Sequence, residues 1–313
     1  MLDWLAGSIL NSVSVGSIYF VISIGLTLTL AVVKLPNFAH AEFLTVGAYT
    51  AIFITSFLPN NLIVACVAAF LICAVLAIVI NQIIYKPLFN RKVSIYILVL
   101  ASFAAAQFIR YIVFTWAFLE NLLSSNIVIK VIPIGFFGNA TVTTINEDAI
   151  FLTISVGVFL AIFLNFTIIG KSMRAVASNL ELAKLTGINV SLVVNVMWII
   201  AGGLAGVGGV IFGIYTTTVT PVIGFNSLLE IFSVVIIAGL TSVTGTIIGA
   251  YVVAFSENTL MTVLNHYFGV AYSYAPIMPF ALIVIILLFK PSGLAPNSQS
   301  AIAYLKRVTG SNQ

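Results

Sequence analysis

Few side chains in this sequence could act on a solute, an ion or a proton. Its 313 residues include eight Asp or Glu, twelve Lys or Arg and two His. Five of these lie in or at the edge of long apolar runs: His40 and Glu42, just after Pro36 and Asn37, then Arg110, Glu230 and Glu257. A charge at mid-bilayer costs about 2.5–3.5 kcal/mol on insertion scales, so each requires an explanation. Glu257 is the deepest, about halfway along its run. It reads either as a buried polar contact between helices or as the wall of a hydrated pathway or gate. Arg110 and Glu230 also read as interfacial groups reaching headgroups or water. Asn37, His40, Glu42, Arg110, Glu230 and Glu257 are therefore the pathway or gate candidates. No catalytic set emerges, because the two histidines are far apart and the carboxylates are dispersed. No metal-ligand cluster of usual spacing is present. His266, at a predicted outer boundary, receives no role. Cys66 and Cys73 share a helix face but are separated by about 10 Å of rise, too far for a disulfide.

The elements that must position these groups follow from composition. Charged residues make up 6% of the chain and hydrophobic ones 61%, against about 25% charged in a soluble domain. That excludes soluble, disordered, collagen-like and disulfide-rich secreted classes. The basic residues are too few and scattered for nucleic-acid binding. Apolar runs fall near 8–31, 36–57, 62–85, 93–118, 149–169, 191–215, 227–241, 245–265 and 273–289, the seventh short enough to be half a broken helix. They are continuous rather than alternating, so they predict helices and not an outer-membrane barrel. The expected fold is a single all-α polytopic transmembrane bundle (residues 1–313) of about 8–10 spans. The first run is too long for a signal-peptide core and reads as a retained helix. The longest polar connections are 119–148 and 170–190.

With the tail bearing Lys290, Lys306 and Arg307 placed inside, nine spans put ten of the twelve basic residues on the cytoplasmic side. The others are Lys34, Lys86, Arg91, Lys92, Lys171, Arg174 and Lys184. Lys130 lies in an outer loop, and the N-terminus with Asp3 comes out on the far side. The expected location is the cytoplasmic (inner) membrane, in contact with lipid.

Gly202, Gly203, Gly206, Gly209 and Gly213, with Gly208, give the sixth run a small-residue face suited to close helix packing or to sliding during gating. Without a βαβ context they are not a dinucleotide fingerprint. Gly170-Lys171-Ser172 resembles the end of a phosphate-binding loop, but Asn165 stands where that motif requires glycine. This segment is not expected to bind ATP, and no cofactor is expected on the chain.

The connection 170–190 is the most informative stretch. Met173, Val176, Leu180 and Leu185 fall near one helical stripe, Arg174, Ser178, Glu181 and Lys184 on the rest, and Gly187 supplies a stop. Such a helix can dock in a partner's groove or lie in the headgroup plane. Its pattern Gly-x-x-Met-Arg-Ala-Val-Ala-x-Asn-x-x-x-Ala-x-Leu-x-Gly-Ile-Asn resembles the coupling segment of ABC-importer permeases for branched-chain amino acids, the Liv type. Glu181, Ala183 and Gly187 also match the looser Glu-Ala-Ala…Gly loop of ABC-importer permeases, with Leu182 replacing the first Ala. Three other stretches are similar to that family: Leu35-Pro-Asn-Phe-Ala-His-Ala-Glu-Phe43 with Gly47-Ala-Tyr49, Ala238 to Gly249, and Lys290-Pro-Ser-Gly-Leu294. The Asn-Phe-Ala-His form points to the H-type subunit. Ala41, Thr241 and Thr244 depart from the pattern, replacing Gly, Gly and Pro.

The resemblance implies a transport subunit without its own ATPase site. It would pair with an M-type permease or a copy of itself, with two ABC ATPases that bind ATP, and with an extracytoplasmic solute-binding protein. Met173, Arg174, Ala175, Asn179, Glu181, Ala183 and Gly187 would carry ATPase coupling. Specificity would lie mainly in the binding protein. The same machinery importing urea or short amides is the nearest alternative, a stand-alone secondary transporter or channel a further one, and a membrane-bound enzyme the weakest.

Overall fold

The structure is a computed structural model, and it describes residues 3–294. Lys306 and Arg307, part of the orientation argument, lie outside the described residues. In chain order the elements are α1 (Asp3–Val32), α2 (His40–Phe57) and α3 (Leu62–Ile80), which continues through a π turn (Asn81–Tyr85) into α4 (Lys86–Asn90). Then come α5 (Ile95–Leu119), a hairpin of β1 (Pro133–Phe137) and β2 (Ala140–Thr143), α6 (Thr144–Phe166), α7 (Ile168–Ser178) and α8 (Leu180–Leu185). The rest comprises α9 (Val190–Tyr215), the single turn α10 (Ile223–Asn226), α11 (Leu228–Ala238) and α12 (Val243–Phe255). A second π turn (Ser256–Leu260) carries α12 into α13 (Met261–Phe268), and α14 (Ile277–Phe289) closes the fold.

The chain is an all-α polytopic membrane bundle. Six of the nine apolar runs form helices long and apolar enough to cross a bilayer: Trp4–Val32, Leu62–Asn90, Ile95–Leu119, Thr144–Phe166, Val190–Tyr215 and Val243–Phe268. The remaining three, α2, α11 and α14, have 18, 11 and 13 residues. The seventh run is indeed a broken helix, since α10 and α11 meet at Ser227 and α11 stops at Gly239. The 119–148 connection holds the β1–β2 hairpin, whose Ala140 lies against Gly7 at the start of α1. Its composition alone marks it only as a polar connection.

α1 and α9 form the centre, and their side chains show how apolar segments are held together without a hydrophobic drive from water. Facing α12 and the π turn that follows it, α1 makes hydroxyl pairs Ser12–Thr259 (2.7 Å), Ser17–Tyr251 (2.9 Å) and Thr27–Thr246 (2.8 Å). The pairing runs antiparallel, and such interhelical bonds are worth roughly 0.6 kcal/mol each in membranes. α9 sits between α2 and α3. A Cβ on Gly202 or Gly206 would meet the α3 backbone at Cys73 or Ala69 (2.7 and 2.8 Å), and one on Gly203 would meet the Phe70 ring. On the other side, Gly209 lies against the Leu44 carbonyl and Gly47 of α2 against the Gly206 backbone. Gly208 faces Ile22 of α1, and Gly213 faces Ile127 and Val219. Cys73, whose Sγ donates to the Phe43 carbonyl (3.3 Å), fills the same seam, and both cysteines are free thiols.

Two stretches that sequence reading treated separately meet here. The Leu294 N–H donates to the Ile237 carbonyl (2.8 Å), fastening the Lys290–Leu294 turn onto the end of α11. The helix pairings also sort the basic residues. Gly25 of α1 lies against Ala201 and Ala77 of α3 against Gly202, so α1 and α3 both run antiparallel to α9. Their C-terminal ends, followed by Lys34 and by Lys86, Arg91 and Lys92, therefore share an end of the bundle with Lys171, Arg174 and Lys184.

Candidate functional site

The segment between α6 and α9 is two helices, not one stripe. Asn179 leaves helical geometry (φ −154°, ψ 106°) and its side chain caps α8 by accepting from the Leu182 N–H (3.0 Å). Asn is well suited to that cap, which explains the break. The buried side consists of Gly170, Met173, Val176 and Ala183, whereas Leu180 and Leu185 are exposed (42% and 84%). The single-stripe expectation fails because the break at Asn179 rotates α8 relative to α7. Gly187 ends α8 in the left-handed region (φ +81°), with its N–H bonded to the Lys184 carbonyl and the Ile188 N–H to the Ala183 carbonyl. That is a Schellman arrangement, which needs a residue tolerant of positive φ. Gly170-Lys171-Ser172 lies inside α7, and the element leading into it is the helix α6 and not a strand. Of the seven coupling candidates, Arg174, Asn179, Glu181 and Gly187 are exposed, Ala175 is half-buried, and Met173 and Ala183 pack against the chain itself. Among the described residues Arg174 donates to Asn165 (Nη1 to Oδ1, 3.1 Å).

Asn37 and His40 fix the start of α2. Asn37 is fully buried, and its Oδ1 accepts from the Tyr85 hydroxyl (2.6 Å) and the Ala39 N–H (3.1 Å). Tyr85 stacks on Trp198 of α9 with ring centroids 5.1 Å apart. His40 Nε2 meets the Ile22 carbonyl at 2.8 Å, which requires the proton on Nε2. The ring is wedged where Gly25 and Ala201 approach. Neither side chain faces open space, so this geometry anchors three helices.

Glu42 and Arg110 form a buried ion pair. The Arg110 Nε donates to Glu42 Oε1 (2.9 Å), its Nη2 reaches the same oxygen, and Nη1 donates to Gln107 Oε1 (3.0 Å). Phe225 lies under the guanidinium, 4.1 Å from ring centroid to Cζ. Thr45 donates to Glu42 Oε2 (3.3 Å) and accepts from the Gly224 N–H (3.1 Å). Arg110 is 9% exposed and turns inward onto Glu42. The pair ties α5 to α2 and α10.

Glu257 occupies the second π turn. The Tyr19 hydroxyl of α1 donates to its Oε2 (2.9 Å), and Glu230, at the start of α11, lies within electrostatic reach of both. Beside Glu257 is a cavity of about 270 Å³ bounded by Val15, Tyr19, Phe212, Tyr215, Asn258 and Pro276. Tyr215 ends α9 and the 170–190 segment precedes it, so about 39 Å of helix separates them. Glu230 Oε2 is buried, with no hydrogen-bond partner among the described residues.

Residues 8–287 match the family described as branched-chain amino acid transport system / permease component. The chain belongs to that family. The permease protein LivH of Escherichia coli K12, named for a high-affinity branched-chain amino acid transport system, is 27% identical over 294 residues, covering 91% of this chain and 93% of that protein. BraD of Pseudomonas aeruginosa, a permease protein named for the same kind of system, is 25% identical over 306 residues, covering 91% and 94%. Among solved structures, PsaBC from Streptococcus pneumoniae in complex with Fab has a TM-score of 0.47 and 14% identity, covering 97% of this chain and 95% of that one. That likeness is too slight to bear on function. The H-type resemblance agrees with the LivH relatives.

In this permease the six pathway candidates resolve into three groups that spacing does not reveal: Asn37 with His40, Glu42 with Arg110, and Glu230 with Glu257. Sequence reading missed Tyr19, Thr45, Tyr85, Trp198, Phe225 and Asn258. Tyr19 and Asn258 carried a signal, as polar groups inside apolar runs. Phe225 and Trp198 carried none, since aromatic residues are ordinary in such runs.

Proposed function

We propose that this permease is the translocation subunit of an ATP-driven importer of branched-chain amino acids in the cytoplasmic membrane. The exposed two-helix segment α7–α8 carries the reading. It stands at the end of the bundle where most basic residues gather, which supports a cytoplasmic position by the positive-inside rule. It presents Arg174, Glu181 and the apolar Leu182 and Leu185 outward. An apolar ridge flanked by charges suits a cleft in an ATPase subunit. Two ATPases, a second permease and an extracytoplasmic binding protein complete the assembly, and ATP is bound on the ATPases. Met173, Ala175 and Ala183 seat the segment on the permease body, and Arg174, Asn179, Glu181 and Gly187 shape what meets the partner.

Two expected results test this. Arg174→Glu reverses an exposed charge whose hydrogen bond among the described residues is to Asn165, so the permease still inserts. ATP-driven leucine uptake by the reconstituted assembly falls at least tenfold, and ATPase co-purification weakens. Normal uptake with normal co-purification would sink the assignment. Gly187→Val costs about 1–3 kcal/mol locally, from positive φ on a β-branched residue and not from crowding. Among the described residues nothing lies within 4 Å of the added Cβ. Hydrogen exchange at 183–190 should rise while the global melting temperature stays near wild type.

A further inference from the structure

We propose that the cavity at the second π turn is a transient site for an amino acid in transit, holding its α-ammonium on Glu257 and its side chain on the apolar part of the lining. The proposal rests on the amino-acid reading above and adds a site within it. Glu257 is the one formal charge lining the cavity. Among the described residues the ion pair is Glu42–Arg110, so no cationic side chain neutralises Glu257. Tyr19 commits its hydroxyl proton to Glu257 Oε2, which leaves the phenol oxygen free to accept. Asn258 donates its Nδ2 to the Ala254 carbonyl (3.0 Å), which leaves its Oδ1 as an acceptor. A carboxylate and two neutral acceptors match the three donors of an ammonium group. Phe212 and Tyr215 add aromatic rings to the lining, and aromatic rings attract cations. Val15, Phe212 and Pro276 supply apolar surface for a branched side chain. The π turn supports a functional part for this place, because such turns interrupt a helix at some cost and cluster at working sites.

The cavity offers no cation for the solute's carboxylate. The site should therefore recognise the amine end and hold it weakly, as a conduit requires. Leucine, 3-methylbutylamine (leucine without its carboxylate) and 4-methyl-2-oxopentanoate (leucine without its ammonium) separate these features.

The assembled importer in nanodiscs, without binding protein, is titrated with labelled leucine and then with each analogue as competitor. Saturable leucine binding at millimolar concentration is expected, displaced by the amine and not by the oxo acid. Glu257→Gln should weaken binding about tenfold or more, Glu257→Asp about threefold or less, and Tyr19→Phe should lie between. Absence of saturable binding, equal competition by the oxo acid, or wild-type affinity in Glu257→Gln overturns the proposal. If Glu257→Gln fails to assemble, the wild-type competition and Tyr19→Phe decide. Uptake with the binding protein present separates the two readings. Wild-type assembly that hydrolyses ATP without importing leucine refutes the solute assignment. Wild-type import with unchanged binding in Glu257→Gln refutes this site alone.

Discussion

Glu42→Ala should destabilise the permease by about 3–5 kcal/mol, the usual consequence of leaving one member of a buried ion pair without its partner. Arg110 would keep its charge over the Phe225 ring with Gln107 as its remaining side-chain acceptor, in a largely buried place. Arg110→Ala should cost a similar amount by stranding the Glu42 carboxylate, whose other partner is Thr45. The double variant Glu42→Met with Arg110→Met should recover most of the stability, since an apolar pair of similar volume carries no desolvation penalty. Thermal unfolding of the detergent-purified protein reads all three. Single variants that melt like wild type would show that the pair contributes nothing, and a double variant worse than either single would show that the charges are needed for the fold. Leucine uptake by the double variant then separates stability from transport. If it folds and does not transport, the pair works in the conformational cycle, where it joins α2 and α5 to the turn α10.

Gly206→Leu should be comparably severe, for steric reasons. Gly206 lies in the seam where α9 passes between α2 and α3. An added Cβ would meet Cys73 Sγ at 2.6 Å and the Ala69 carbonyl at 2.8 Å. On its other side the Gly206 backbone is already where a Cβ on Gly47 would fall. Backbone cannot turn aside as a flexible side chain can, so the helices must separate. Overpacking of this kind costs about 1–3 kcal/mol and sometimes more, and opening a seam that holds three helices belongs at the top of that range. Expression and melting temperature should both fall. Gly157→Leu is the control, because nothing lies within 4 Å of a Cβ there on α6, and it should be nearly silent. Equal stability of the two variants would mean that the seam is not closely packed.

The sequence contained more of the fold than of the site. Residue type alone makes nine apolar runs legible, because bilayer thickness sets the length of a span and lipid forbids unpaired backbone. The 170–190 segment was legible as an element, with Gly187 as its end, because those features are local. Its interior was not, since Asn179 can sit in a helix or cap the next one, and packing of Met173, Val176 and Ala183 against the body favours the cap. Glu42 and Arg110 lie 68 residues apart, and nothing in either neighbourhood names the other.

What the sequence determined by itself was solvent preference: a membrane bundle, a biased distribution of basic residues and a family pattern carried by short local motifs. What only the tertiary structure decided was which polar groups share a space. Spacing along a helix fixes the face a residue lies on, but the partner across that face depends on how the helices cross. Tyr19 meets Glu257 because hydroxyl pairs hold α1 against α12 and the π turn that follows it, and Glu42 meets Arg110 because α5 packs across α2.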